Sequence, residues 1–332
     1  MSEVHECLDR HLDRYVMLKR VKRVGDFRRL LDEQKALLAV RSPHVVQLLD
    51  IVSYEYQGED ENGLILEKIE GVDLEGLVLK SEAEQLHAAW QIACGLTHIH
   101  SANVVHRDIK PQNIRVSSEG TVKILDFGLS RSVGVDSKTR SVIGTSEFMA
   151  PELFGEQTIS FSSSVDIYAF GVTLLKIFNI AIPPVKRGST PEEILRAISD
   201  NSSAFQHDLA LLISKCLAPV PNRRPSSEEV QLFFEQKLLH NRHRGRILLG
   251  GKVHEINKDK RALTLSTKEC KLSIEYDGKE FTVKSVMGRV MLNNRPAVPG
   301  SRMIPACVIS FEGSNSPRTF TTFETNSPQV QI

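Results

Sequence analysis

The chain has 332 residues, 41% of them hydrophobic and 25% charged, and its 42 Lys and Arg against 41 Asp and Glu leave a net charge of +1. That balance excludes a disordered or collagen-like chain and a nucleic-acid partner recruited by bulk charge. At about 100–200 residues per domain, the length predicts two domains or three. Residues 241–332 carry 15 basic and 8 acidic side chains, so a mildly acidic body precedes a mildly basic tail. The five cysteines (Cys7, Cys94, Cys216, Cys270 and Cys307) are odd in number and lie far apart. This argues against a zinc site or a disulfide framework and for a reducing compartment. The first residues hold no apolar stretch of the signal-peptide kind. The most apolar run, Val165–Val185, is interrupted by Asp166 and Lys176 and closed by Pro183-Pro184, so it predicts a buried helix rather than a membrane span. The expected location is cytoplasmic.

In chain order, YVMLKRV (15–21) predicts a strand. Phe27, Leu30, Leu31, Leu37 and Leu38 then recur at helical spacing up to Ser42-Pro43. VVQLLDIVSYEY and GLILEKI follow as two strands, with GEDENG between them as a hairpin turn. Residues 82–101 predict a long helix, and short strands surround VVHRDIKPQN and TVKILDFG. The pattern is helical from about 151 to 240, with loops near Pro183-Pro184 and Pro219–Pro225. After the basic stretch NRHRGR (241–246) the texture changes to LTLS, KLSIEY, EFTVKS, RVMLN, CVISF and RTFTTF, which reads as a β module.

The residues with chemistry cluster in order: His106-Arg107-Asp108-Ile109-Lys110-Pro111-Gln112-Asn113, then Asp126-Phe127-Gly128, then Gly144-Thr145 and Ala150-Pro151-Glu152. These motifs resemble the catalytic loop, the metal-binding loop and the end of the activation segment of eukaryotic-type protein kinases, including their bacterial Hanks-type members. The resemblance implies phosphoryl transfer, which asks a protein for positioning and charge neutralisation rather than for covalent work. In it Asp126 and Asn113 would offer the oxygen ligands that hard Mg²⁺ (or Mn²⁺) requires. Asp108 would accept the proton of an attacking hydroxyl, and Lys110 would set a fixed positive charge beside it. The resemblance covers roughly residues 3–236. Lys110 with Gly144-Thr145 resembles the serine/threonine branch.

The resemblance implies further roles. Val16-Met17-Leu18-Lys19 is similar to the element whose lysine holds the α- and β-phosphates of ATP, with Glu33 on the next helix as its ion-pair partner. Leu64–Asp73 is similar to the last small-lobe strand and the hinge. Leu66 would be the gatekeeper, backbone groups of Glu67 and Ile69 would meet the adenine edge, and Asp73 would meet the ribose. His106, with Leu37 and Phe127, would belong to an apolar stack, and Asp166 would brace the catalytic loop. Glu152 and Arg224 would form a buried ion pair. Arg107 would meet a phosphate on Thr139 or Ser141 of the activation segment, while Thr145 would contact Asp108 and Lys110.

The sequence departs from the family pattern in three places. No glycine precedes Gly25, so the glycine-rich loop is absent. Residues Met1–Val4 align with the end of that loop, which places Val4 over the nucleotide and predicts a truncated start. Met17 stands where the family prefers alanine, and Arg115 where an apolar residue forms the floor of the adenine site. The tail from Lys271 to Phe311 resembles the later strands of a forkhead-associated (FHA) domain. Lys268 and Lys271 stand where that family grips phosphothreonine, which makes the tail a degenerate FHA-like module for a phosphoprotein or regulatory partner.

The expected architecture is an α+β two-lobed protein kinase fold followed by a small all-β, sandwich-like domain. The kinase domain would span 1–240, with small lobe 1–66, hinge 67–73 and large lobe 74–240. A basic linker, 241–248, would lead to the β-sandwich, 249–332. The expected activity is transfer of the γ-phosphoryl group of MgATP to protein Ser/Thr hydroxyls, with autophosphorylation of the activation segment. A pseudokinase or scaffold acting through partner binding is the alternative, and a small-molecule phosphotransferase of related fold a third.

Overall fold

The computed structural model describes residues 2–21, 27–56, 58–129, 131–132, 138–139, 146–154, 159–160, 162–183, 189–200, 207–313 and 317–326. The chain divides into two compact units, residues 1–234 and 235–331.

The first unit opens on an antiparallel sheet ordered β1-β2-β4-β3. Its strands are β1 (Ser2–Asp9), β2 (Arg14–Val21), β3 (Leu48–Tyr56) and β4 (Glu59–Glu67), and helix α1 (Phe27–Ala39) lies between β2 and β3 in the chain. The stretch GEDENG is not the turn its polarity predicts, because β4 begins at Glu59. Arg20, only 6% exposed, donates from Nε and Nη2 to Glu61 Oε2 at 3.0 and 2.8 Å. Tyr54 donates to the same oxygen at 3.0 Å, so these polar residues are satisfied inside the ladder. In α1 the buried stripe reads Leu30, Glu33, Leu37, which is the i, i+3, i+7 spacing of a core-facing helix with an acid in the middle.

A small sheet, β5-β7-β8, follows the hinge: β5 (Gly71–Asp73), β7 (Ile114–Ser117) and β8 (Val122–Ile124). Gly71 has φ +155°, and a Cβ there would sit 2.0 Å from the Val116 carbonyl oxygen, so only glycine allows the two strands to approach. Helix α2 (Glu82–Ser101) matches its sequence expectation and starts at Ser81, whose side chain accepts from Glu84 N. The strand pair β6 (Val104–Val105) and β9 (Arg131–Ser132) and the pair β10 (Lys138–Thr139) and β11 (Ile159–Ser160) are two residues long each. Helices α3 (Ser164–Ile177), α4 (Pro191–Asp200), α5 (His207–Cys216) and α6 (Ser227–Leu239) follow. Along α3 twelve residues are buried, which explains its hydropathy without a bilayer. Among the described residues no helix is long and apolar enough to cross a membrane. Ile92, Leu96, Ile99, Ile109, Ile114, Phe170 and Phe234 are fully buried, and each contributes about 1.5–3 kcal/mol by leaving water. All five cysteines are free thiols.

The second unit is all-β after the end of α6. Among the described residues nine antiparallel strands form a six-stranded sheet, β13-β12-β20-β19-β17-β18, and a three-stranded sheet, β14-β15-β16. They are β12 (Gly245–Leu249), β13 (Lys252–Ile256), β14 (Ala262–Ser266), β15 (Lys271–Tyr276), β16 (Phe281–Met287), β17 (Arg289–Leu292), β18 (Arg295–Pro296), β19 (Cys307–Glu312) and β20 (Thr319–Thr325). One apolar cluster draws on both sheets, with Ile247, Ile309, Phe311 and Phe323 from the larger and Leu263, Leu272, Ile274 and Val283 from the smaller. That shared core makes the unit a sandwich. Residues 241–248, expected as a linker, instead contain most of β12, which pairs with both β13 and β20. Its alternation Arg246-Ile247-Leu248 is too short and too basic at the start to stand out as a strand.

Candidate functional site

Alternation along β2 sends Met17 and Lys19 to one face of the sheet, opposite Leu66 and Leu64 of β4. Lys19 Nζ lies 2.6 Å from Glu33 Oε1 and 2.6 Å from Asp126 Oδ1. Lys19 is 4% exposed and Glu33 3%. Burial by itself would push the Lys19 ammonium down, but the two carboxylates hold it above its ordinary value. Burial pushes the Glu33 carboxyl up against the pull of Lys19. Asp126, also partly desolvated, is carried below the usual carboxylate range by Lys19 and by the Gly128 N–H. The ion pair therefore stands, with a charged Lys19 held between Glu33 and Asp126. Asp126 has φ +57°, an uncommon backbone state for a non-glycine residue, and it follows β8 by two residues.

The loop His106–Lys110 is shaped by Asp166, which is fully buried in the first turn of α3. Asp166 Oδ2 accepts from His106 N at 2.8 Å, and Oδ1 accepts from Arg107 N at 2.7 Å. His100 Nε2 lies 3.0 Å from the same Oδ2. Burial opposes ionisation of Asp166, yet these donors hold its carboxyl below the usual range. Arg107, at φ +70°, is kept in a left-handed conformation by that grip. His106 donates from Nε2 to Leu125 O at 2.9 Å and accepts at Nδ1 from Asp108 N at 3.3 Å. Its ring meets Phe127 edge-on at 4.7 Å.

Asp108 is held at its side chain as well. Asn113 Nδ2 donates to Asp108 O and Oδ2, each at 2.8 Å, and Lys110 Nζ lies 2.8 Å from Oδ2. Further out, Arg224 meets Glu152 through two parallel bonds of 2.7 Å and donates from Nε to Ala218 O at 2.8 Å. Of the activation-segment residues singled out in the sequence, Ser141 and Thr145 lie outside the described residues, and for Thr139 only the backbone pairing with Ile159 is described.

A cavity of about 340 Å³ joins these groups to the hinge. Val4, Met17, Lys19, Leu66, Glu67, Ile69, Asn113, Arg115 and Asp126 all line it. Asp73 does not: its Oδ1 accepts from Arg115 Nη1 at 2.9 Å. Glu67 turns its carboxylate to Gln47 N and Lys123 Nζ. Glu6, Lys68, Glu70 and Gln112 line the cavity without having been singled out in the sequence. Lys68 Nζ bridges Glu6 Oε2 at 2.9 Å and Glu70 Oε1 at 2.7 Å. The signal for Glu6 was present, since period-two alternation puts it on the same face as Val4.

A Lys19-Glu33-Asp126 cluster reaching a cavity, with Asp108 hydrogen-bonded to the cavity-lining Asn113, holds the groups that a phosphoryl-transfer domain requires. The sequence pattern of the protein kinase domain matches residues 1–233, and the chain belongs to that family. Among similar proteins are ribosomal protein S6 kinase 2 alpha of Xenopus laevis and ribosomal protein S6 kinase alpha-1 of Homo sapiens. Each is 34% identical over 174 residues, which takes in 51% of this chain and 23% of the relative. Rhodopsin kinase GRK1 of Homo sapiens is 32% identical over 183 residues, 52% of this chain and 31% of the relative. The chain thus spans about a quarter to a third of the length of the relatives it matches.

Proposed function

We propose that this protein is a serine/threonine protein kinase that moves the γ-phosphoryl group of MgATP to Ser/Thr hydroxyls of protein substrates. The observation that carries the reading is Lys19 Nζ at 2.6 Å from both Glu33 and Asp126, beside an Asp108 whose carboxylate is oriented by Asn113 and Lys110. Lys19 holds the inner phosphates of ATP. Asp108 accepts a hydrogen bond from the attacking hydroxyl and takes its proton, and Lys110 offsets charge on the transferring group. The donor set at Asp126 and Asn113, one carboxylate and one amide carbonyl, suits a divalent cation that takes the rest of its shell from phosphate and water. With its Nδ2 committed to Asp108, Asn113 has its carbonyl oxygen left for that cation. Bound Mg²⁺ would neutralise phosphate charge and orient the γ-phosphate.

Autophosphorylation within the activation segment, at Thr139 or Ser141, and a cytoplasmic, bacterial-type setting complete the reading of the first unit. The second unit is read as a degenerate FHA-like module for a phosphoprotein or regulatory partner, supported by its sandwich of six and three strands. The test is a panel of Ser, Thr and Tyr peptides incubated with the chain and MgATP. Phosphate on Ser and Thr but not Tyr supports the assignment. A folded chain that binds MgATP and labels no peptide supports the scaffold.

A further inference from the structure

Arg115 lies on β7, lines the cavity and carries a planar guanidinium. Every nitrogen of that group is engaged along its edge. Nε donates to Ile69 O at 2.9 Å, Nη1 to Asp73 Oδ1 at 2.9 Å and Nη2 to Gly71 O at 2.7 Å. The three acceptors belong to the alternate residues 69, 71 and 73 of the hinge segment, so the plane of the group is fixed from one side. With three of its five N–H donors fixed in this way, the planar cation keeps its faces to offer, and those stack well on aromatic rings. Met17 lines the same cavity, and its thioether adapts to an aromatic face. Asp73, meanwhile, is not among the residues that line the cavity, and its carboxylate pairs with Arg115.

We propose that Arg115 selects the nucleotide at this site: its guanidinium face carries the base, and Asp73 acts as a positioning residue that holds the guanidinium rather than as a reader of the sugar. This rests on the reading of the cavity as an ATP site. Stacking senses a π-face and not a hydroxyl, so the site is indifferent to the ribose 2′-OH.

The experiment is calorimetric titration of the full chain, in Mg²⁺, with ATP and with 2′-deoxyATP, for wild type, Arg115→Leu and Asp73→Asn. The wild type binds both nucleotides with affinities within about twofold. Arg115→Leu weakens ATP by about two- to fivefold, the value of a lost cation–π contact. It also creates a preference for ATP over 2′-deoxyATP, because Asp73 is released toward the sugar. Asp73→Asn leaves the ratio of the two affinities unchanged. A wild type that prefers ATP by tenfold, with the preference erased in Asp73→Asn, overturns the proposal and leaves the kinase reading in place. Wild-type affinity retained in Arg115→Leu for both nucleotides overturns it too. A folded wild type that binds neither nucleotide removes the ATP-site reading itself, and the proposal with it. Asp73→Asn sits at a half-exposed position, so the ratio remains measurable if Arg115→Leu fails to fold.

Discussion

Replacing Asp166 by asparagine keeps its volume and removes its charge. The wild-type carboxylate accepts from His106 N and Arg107 N on different oxygens, and an amide has only one oxygen. In either orientation the NH₂ of the new side chain faces a backbone N–H in a fully buried site. If the nitrogen replaces Oδ2, His100 can change tautomer and accept, so the minimum loss is one buried N–H left without an acceptor. That omission costs about 1–3 kcal/mol. The lost bond, from His106 N, was charge-assisted and belongs to the pair that shapes the loop at Arg107, φ +70°, so a total of about 2–3 kcal/mol is expected. For a unit of this size each kcal/mol moves the melting temperature by about 2–4 °C. Scanning calorimetry should therefore show the first unit melting about 4–12 °C lower. Phosphoryl transfer should fall at least about tenfold, as the loop carrying Asp108 loses its brace. A first transition within about 1 °C of wild type would refute the reasoning, because it would mean that Asp166 does not hold the loop.

Three further outcomes follow from the geometry. Lys19→Met should lower transfer by about 10²–10³-fold with an unchanged circular dichroism spectrum, and a fall of less than tenfold would count against its phosphate role. Burial holds the 1%-exposed His44 below its ordinary value of 6.5, so the unfolded chain takes up that proton before the folded one. Stability of the first unit should be intact above pH 6.5 and decline as the pH falls below it, by at most about 1.4 kcal/mol per unit. His44→Gln should flatten that slope in urea titrations at pH 7, 6 and 5; an unchanged slope assigns it elsewhere. Gly278 has φ +104°, and a Cβ there would lie 2.4 Å from His240 Cε1. Gly278→Ala should cost the second unit about 1–3 kcal/mol, read as a lower second calorimetric transition beside an unmoved first.

The parts of the site that were legible in the sequence are those whose chemistry fixes both residue type and spacing. Asp108, Lys110 and Asn113 stand within one short loop, and the structure brings them into contact. Lys19, Glu33 and Asp126 lie 107 residues apart at the extremes and still meet. The acid at position 33 is visible as an interruption of an apolar stripe. What stayed hidden depends on side-chain direction. No periodicity says that Arg115 bonds Asp73 and two hinge carbonyls, nor that Lys68 reaches across to Glu6. In the second unit, strands with clean alternation such as KLSIEY were readable, whereas β12 and β13, basic and separated by Gly250-Gly251, were not.

The central claim is that Asp108 lets this chain transfer phosphate to a hydroxyl. Its most direct test is mass spectrometry of the wild-type chain and of Asp108→Asn after incubation with MgATP. The account predicts phosphoserine or phosphothreonine in the wild type, with Thr139 and Ser141 the expected positions, and none in the variant. Equal phosphate in the two proteins, or none in a wild type shown to bind MgATP, would contradict it.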